Sequence, residues 1–198
     1  MHHYYIVYKP FQVLSQFSPQ EAKAILKDFF PVPTDVYPIG RLDFDSEGLL
    51  ILTNDRRMNH RLLDPAFAHE REYWVQVEGA IDPTALRQLE TGVTISIDGK
   101  PHSTRPAKAQ LIIPDPQVPE RDPPIRYRAQ IPTSWISLTL TEGRNRQVRK
   151  MTAQTGFPTL RLIRFRIGGI TLGRLQPGEM QPMTGQEMDA LLFAKRNH

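Results

Sequence analysis

Residues 40–48 read GRLDFDSEG and run directly into the apolar stretch LLILT at 49–53, so a turn rich in carboxylates stands against a buried strand. In an extended Gly40-Arg41-Leu42-Asp43 segment, alternation sends Leu42 toward a core and leaves Arg41 and Asp43 together on the other face. A guanidinium that close favours the ionised carboxylate. Asp45 and Glu47 follow in a turn that closes at Gly48, which crowds three acids into one short loop.

Three readings compete for this loop. Asp45, Ser46 and Gly48 are ordinary turn residues, and Arg41 with Asp43 could be a structural pair. Asp43, Asp45, Glu47 and Gly48 also approximate the first half of a calcium loop, but the twelfth position holds Asn54 rather than a bidentate Glu, and an apolar β-like run replaces the exit helix. The third reading is a nucleophilic or acid–base carboxylate at a rigid strand end, held by Arg41. The rest of the chain favours the third.

The 198 residues can bury a good core as one domain or two fused lobes. With no Cys, disulfides and thiolate metal sites are excluded, and a reducing, cytoplasmic setting is expected. The six His form no H-x-x-x-H pair, so no metal site is expected, and no apolar run approaches a membrane span. The net charge of +4 is unevenly divided: between positions 143 and 178 there is no Asp or Glu, while Arg144, Arg146, Arg149, Lys150, Arg161, Arg164, Arg166 and Arg174 contribute +8 and leave the remainder at −4. A tract of this kind, seven of its eight cations Arg, is the footprint of a polyanion partner, because the guanidinium forks onto phosphate. Arg144, Arg146, Lys150 and Arg164 are the expected phosphate contacts.

The pattern along the chain predicts a strand over 3–8, a helix over 20–30 ending before Pro31, and a short helix capped by Asn54 or Asp55. EYWVQVEG at 72–79 alternates as a strand with Tyr73, Val75 and Val77 on one face. Asp82 caps a helix through Leu89, a β-rich middle covers 91–113, and a Pro-rich surface loop covers 114–124. WISLTLTEG at 135–143 is a strand that leads through Gly143 and a capping Asn145 into a helix to about Gln154, with Arg146, Arg149 and Lys150 on one face and Val148 and Met151 turned inward. TLRLIRFRIGG at 159–169 is a further strand, and a short strand and a helix over 184–194 close the chain. Strands and helices without βαβ rhythm indicate an α+β fold on a mostly antiparallel or mixed sheet.

Taken together, GRLDFDSEGLLILTND at 40–55, REYWVQVEG at 71–79, EGRNRQVRKM at 142–151 and RLIRFRIGG at 161–169 resemble the pseudouridine synthases of the RsuA/Rlu type, in family order and across nearly the whole chain. The resemblance implies a single catalytic domain over 1–198, an antiparallel sheet split by a catalytic cleft with helices outside, and no cofactor. It implies Asp43 as the catalytic aspartate, supported by Arg41, with Tyr73 against the target base and Arg149 as the basic partner of the aspartate. Within the family, the stretch 122–164 is most similar to the branch that modifies one uridine of large-subunit (23S) ribosomal RNA. Many relatives carry an S4-type RNA-binding domain ahead of this region, and none is expected here. Two positions depart from the family pattern: Tyr8 precedes Lys9-Pro10 where Asn is common, and Arg56 follows Thr53-Asn54-Asp55 where Gly is common.

The expected activity is isomerisation of uridine to pseudouridine by a monomer acting on a base flipped out of its helix. Asp43 either attacks covalently or removes the C2′ proton to give a glycal. The alternatives are a non-catalytic ribosome-binding or assembly factor on the same fold, and a hydrolase using Asp43 with Asp45 or Glu47.

Overall fold

A computed structural model describes residues 1–126, 128 and 130–193. In chain order the elements are β1 (Tyr4–Lys9), β2 (Val13–Leu14), β3 (Ala24–Ile25), β4 (Tyr37–Pro38), β5 (Glu47–Thr53), α1 (Arg56–Leu63), β6 (Arg71–Glu78), α2 (Pro83–Thr91), β7 (Thr94–Ile97), β8 (Lys100–Ser103), β9 (Lys108–Leu111), β10 (Thr133–Leu140), α3 (Gln147–Gln154), β11 (Thr159–Ile167), β12 (Ile170–Thr171), β13 (Met180–Met183) and α4 (Gly185–Phe193). This is the expected α+β fold, with a large, mostly antiparallel sheet and, among the described residues, four α-helices. Residue 194, the end of the predicted closing helix, lies outside the described residues.

Two compact units divide the chain, one made of Met1–His69 with Arg164–His198, the other of Glu70–Ile163. In the first, β1 pairs antiparallel with both β13 and β5, and the register sets Lys9 opposite Gly48. All seven residues of β5 are buried, as its unbroken apolar run requires. Val7, Val13, Leu26, Phe30, Val36, Leu50 and Leu52 form this unit's core. Asp55, one of the two predicted caps, begins α1 by accepting from the Arg57 and Met58 amides.

In the second unit β6 pairs antiparallel with β10, and β10 with β9. Val75 and Val77 of β6 and Ile136, Leu138 and Leu140 of β10 pack with Leu89 of α2 and Val148 and Met151 of α3. Asp82 caps α2 through the Ala85 amide, as predicted. Of β11, Thr159–Ile163 counts with the second unit and Arg164–Ile167 with the first.

The predicted helix over 20–30 does not form. The segment makes a turn, the two-residue strand β3 parallel to β2, and one 3-10 turn at Leu26–Asp28. Its backbone is satisfied elsewhere: the Leu26 amide donates to Gln16 O at 2.9 Å, and Ala22 takes φ 57°, outside the helical region. The i, i+4 spacing of Leu26 and Phe30, which reads as a helical face, is used instead to place two fully buried side chains, one from the 3-10 turn and one from the coil after it. The helix α3 also starts later than expected, and Asn145 does not cap it. Arg146 occupies the cap position at φ 52° with no side-chain cap bond.

Candidate active site

The Asp43 loop belongs to the first unit and is anchored by its backbone. Buried Ser15 holds Leu42 from both sides, its Oγ donating to Leu42 O at 2.8 Å and accepting from Leu42 N at 3.0 Å. The Gln12 amide donates to Phe44 O at 2.9 Å, and within the loop the Ser46 amide donates to Asp43 O at 3.0 Å. Leu42 is buried, Asp43 is half-buried and Arg41 is exposed, which is the alternation expected of GRLD. Arg41, the expected partner of Asp43, is exposed at the start of the loop.

At the end of the loop the chain has no room for a side chain. Gly48 takes φ +109°, and a Cβ there would meet the Arg164 backbone, with its nitrogen 2.7 Å away. Only glycine joins the acidic turn to β5 at this approach.

Beneath the loop lies a nest of buried charge that the sequence pattern did not single out. Lys9 is wholly buried, and its Nζ donates to Val13 O at 2.7 Å and Pro10 O at 2.9 Å. Burial pushes the Lys9 ammonium down to about 7; Glu47, Asp43 and Asp45 pull it upward and Arg164 downward. A neutral amine still has a hydrogen for each of the two carbonyls. Glu47 is 2% exposed and Arg164 5%, and Arg164 Nε donates to Leu49 O at 2.8 Å. The expectation that Arg164 contacts RNA phosphate is therefore corrected. Its guanidinium is spent inside the first unit, where strand alternation gave no hint of burial on both faces of β11. The available signal for Lys9 was its position in Tyr8-Lys9-Pro10, where a Lys ends a strand between two core-forming segments.

The remaining candidates lie in the second unit. Tyr73 is on β6, opposite Leu138 of β10, partly buried against the core. Arg149 and Lys150 are half-buried on α3, while Arg144 and Arg146 are exposed in the preceding loop. Buried Gln147 stitches this loop: its Oε1 accepts from the Arg144 amide at 3.0 Å and its Nε2 donates to Glu142 Oε1 at 2.7 Å. Glu142 also accepts from the Arg105 amide at 2.8 Å and lies 3.2 Å from His102 Nε2. Burial alone would raise the Glu142 carboxyl, but the bonds from Arg105, Gln147 and His102 outweigh it and hold the group below its ordinary range. His102 is thus part of this network. Among the described residues no group of three or more His, Asp or Glu is placed to hold a metal ion.

Chemically, the first unit offers a half-buried aspartate on a fixed loop, and the second offers two exposed arginines on the loop before α3 and a partly buried tyrosine on β6. A carboxylate and a base-sized aromatic suit chemistry on a nucleoside, and forked cations suit its phosphates.

The model of the RNA pseudouridylate synthase family matches residues 3–154. A Vibrio vulnificus protein described as ribosomal large subunit pseudouridine synthase E is 52% identical over 176 residues, covering 89% of this chain and 73% of that protein. A Xanthomonas axonopodis protein of the same description is 52% identical over 171 residues, 85% of this chain and 87% of its own length. Among solved structures, one titled as a crystal structure of pseudouridylate synthase superposes with a TM-score of 0.77 at 27% identity, over 97% of this chain and 74% of that one. A matching family model over three quarters of the sequence, and relatives half identical along most of it, establish that this chain belongs to the RNA pseudouridylate synthases.

Proposed function

We propose that this chain isomerises a uridine of large-subunit (23S) ribosomal RNA to pseudouridine, with Asp43 as the catalytic carboxylate. The substrate class is supported by the descriptions of relatives that share about half of its residues. The observation that carries the assignment of Asp43 is its loop. Four hydrogen bonds to its backbone, two from the Ser15 hydroxyl and one each from the Gln12 and Ser46 amides, fix the peptide around the residue, while Asp43 itself is only half-buried. A reacting group needs that combination of fixed geometry and access.

The reaction breaks N1–C1′, turns the uracil, and forms C5–C1′; the C5 proton is lost and N1 takes one up, so mass and chain length are unchanged. Nothing is oxidised and no water is consumed. Asp43 acts at the sugar or the base, either as a nucleophile or as the base that removes the C2′ proton. Tyr73 restrains the uracil by stacking, Arg149 and Arg41 support the carboxylate electrostatically, and Arg144, Arg146 and Lys150 hold the RNA backbone. The cost of extruding the uridine, a few kcal/mol, is offset by these phosphate contacts. The protein acts in the cytoplasm, as a monomer and without metal or cofactor.

Ribosomal RNA carrying tritium at C5 of uridine tests the reading. The expected outcome is release of one equivalent of tritium to water with no free uracil and no strand cleavage. Release of uracil would instead identify a hydrolase, and tight binding with no tritium release a non-catalytic ribosome-binding factor.

A further inference from the structure

The loop at 143–146 is the most exposed part of the basic tract, and it is organised from underneath by one amide. Gln147 is 3% exposed, and its amide group is used on both sides. Oε1 accepts from the Arg144 amide at 3.0 Å, while Nε2 donates to Glu142 Oε1 at 2.7 Å and points to Met151 Sδ at 3.7 Å. The Gln147 amide nitrogen of the backbone donates back to Arg144 O at 3.1 Å. The loop is thus closed on itself between Glu142 and Gln147, with Arg144, Asn145 and Arg146 left facing solvent.

Glu142 is in turn fixed by a separate stretch of chain. It accepts from the Arg105 amide at 2.8 Å and meets His102 of β8 at 3.2 Å, with its side chain 10% exposed. The loop is therefore indexed to the β7–β8 hairpin and not only to α3. This arrangement also sustains Arg146 at φ 52°, a left-handed conformation that a side-chain-bearing residue holds only when its surroundings determine it.

We propose that Gln147, held by Glu142, is a positioning residue for RNA binding: it pre-sets the backbone of 143–146 so that Arg144 and Arg146 meet phosphate without first having to be ordered. This rests on the reading that these two arginines contact RNA. Two long Arg side chains on an unconstrained loop lose backbone and rotamer freedom on binding, and a loop fixed beforehand has already lost the backbone part. Sequence spacing alone marks Gln147 as one more polar residue of α3; its burial and its two-sided use single it out.

Gln147→Met tests this, since methionine fills a similar volume beside Met151 and makes neither bond. The KM for ribosomal RNA is expected to rise about tenfold with kcat held within about twofold, the pattern of lost binding that is equal in ground and transition states. In an Arg144→Ala/Arg146→Ala background the same substitution is expected to change KM by less than about twofold, because the groups it positions are gone. An equal rise in KM in both backgrounds would overturn the proposal, leaving Gln147 a purely structural residue. If the double arginine variant itself binds RNA normally, with an unchanged salt dependence, the RNA-contact reading fails first and the proposal with it.

A second variant guards against misfolding. Glu142→Ala removes the partner of the Gln147 Nε2 group from the other side of the clamp. It is expected to raise KM as Gln147→Met does, and again by less than about twofold in the Arg144→Ala/Arg146→Ala background. A Glu142→Ala variant with the native thermal transition and an unchanged KM would contradict the clamp.

Discussion

The loop that carries Asp43 and the loop that carries Arg144 and Arg146 are secured in opposite ways. Asp43 sits above buried charge: Lys9 and Glu47 have almost no exposure, Arg164 has 5%, and the peptide above them is clamped by Ser15 and Gln12. The basic loop rests on a different network, in which buried Gln147 bonds to Glu142 and Glu142 to the Arg105 amide. Its residues 143–146 are exposed, and the buried amide of Gln147 holds the backbone at Arg144. The difference matches the two tasks. A reacting carboxylate has to be placed within a fraction of an ångström, which a packed and costly scaffold provides. Phosphate contacts tolerate looser geometry and gain from exposure, provided the loop is not disordered beforehand.

The sharpest way to break the first region is Gly48→Ala. The new methyl group would collide with the Arg164 backbone at a position whose φ of +109° already disfavours a side chain. A loss of more than about 4 kcal/mol is expected, read as failure to fold or as a large shift in the denaturant midpoint. No glycine of the basic loop has a comparable neighbour, for the nearest atom to a Cβ at Gly143 is Arg71 Nη1 at 3.9 Å. Gly143→Ala should therefore cost less than about 1 kcal/mol.

Lys9→Met probes the buried charge by its pH dependence. The unfolded chain keeps the Lys9 proton up to 10.5, whereas in the folded protein burial lets it go near 7. The unfolded state thus binds more protons between those values, and this group makes stability rise with pH from about 7 toward 10.5, with its penalty present in full below 7. The variant should lose that rise in a series of denaturant titrations across the interval. An unchanged slope would mean that Lys9 stays charged in the folded protein.

A smaller effect is expected for the salt dependence of RNA binding. With Arg164 removed from the contact set, Arg144, Arg146 and Lys150 give a log–log slope near roughly −2 on single-stranded RNA, against roughly −3 for four contacts. A slope near zero would remove the basic loop from the binding surface.

Much of this was legible in the sequence because it rests on local pattern. GRLD alternation correctly buries Leu42 and exposes Arg41, the Asp55 and Asp82 caps begin α1 and α2, and the alternation of 72–79 is β6. The misreadings share a different cause, in that tertiary contacts decided them. Residues 20–30 have the propensity and spacing of a helix, but the backbone donors there are claimed by Gln16 and by pairing with β2. Asn145 is a good cap by residue type, yet the Gln147 clamp gives that role to Arg146 in a left-handed turn. Arg164 reads as a surface cation until β11 proves to be covered, and Lys9 reads as an ordinary strand-end lysine until its burial is seen. Charge and periodicity say which residues are polar; they do not say which polar residues the fold takes inside.

Asp43→Asn and Asp45→Asn, compared on the same RNA, test the central claim most directly. Each variant would be incubated with unmodified 23S ribosomal RNA, and pseudouridine would be mapped as carbodiimide-resistant stops in primer extension. The account predicts one new stop with the native protein, none with Asp43→Asn, and a rate within about tenfold of native for Asp45→Asn, since the second acid only shapes the loop. A stop that persists with Asp43→Asn, or that vanishes only with Asp45→Asn, would contradict it.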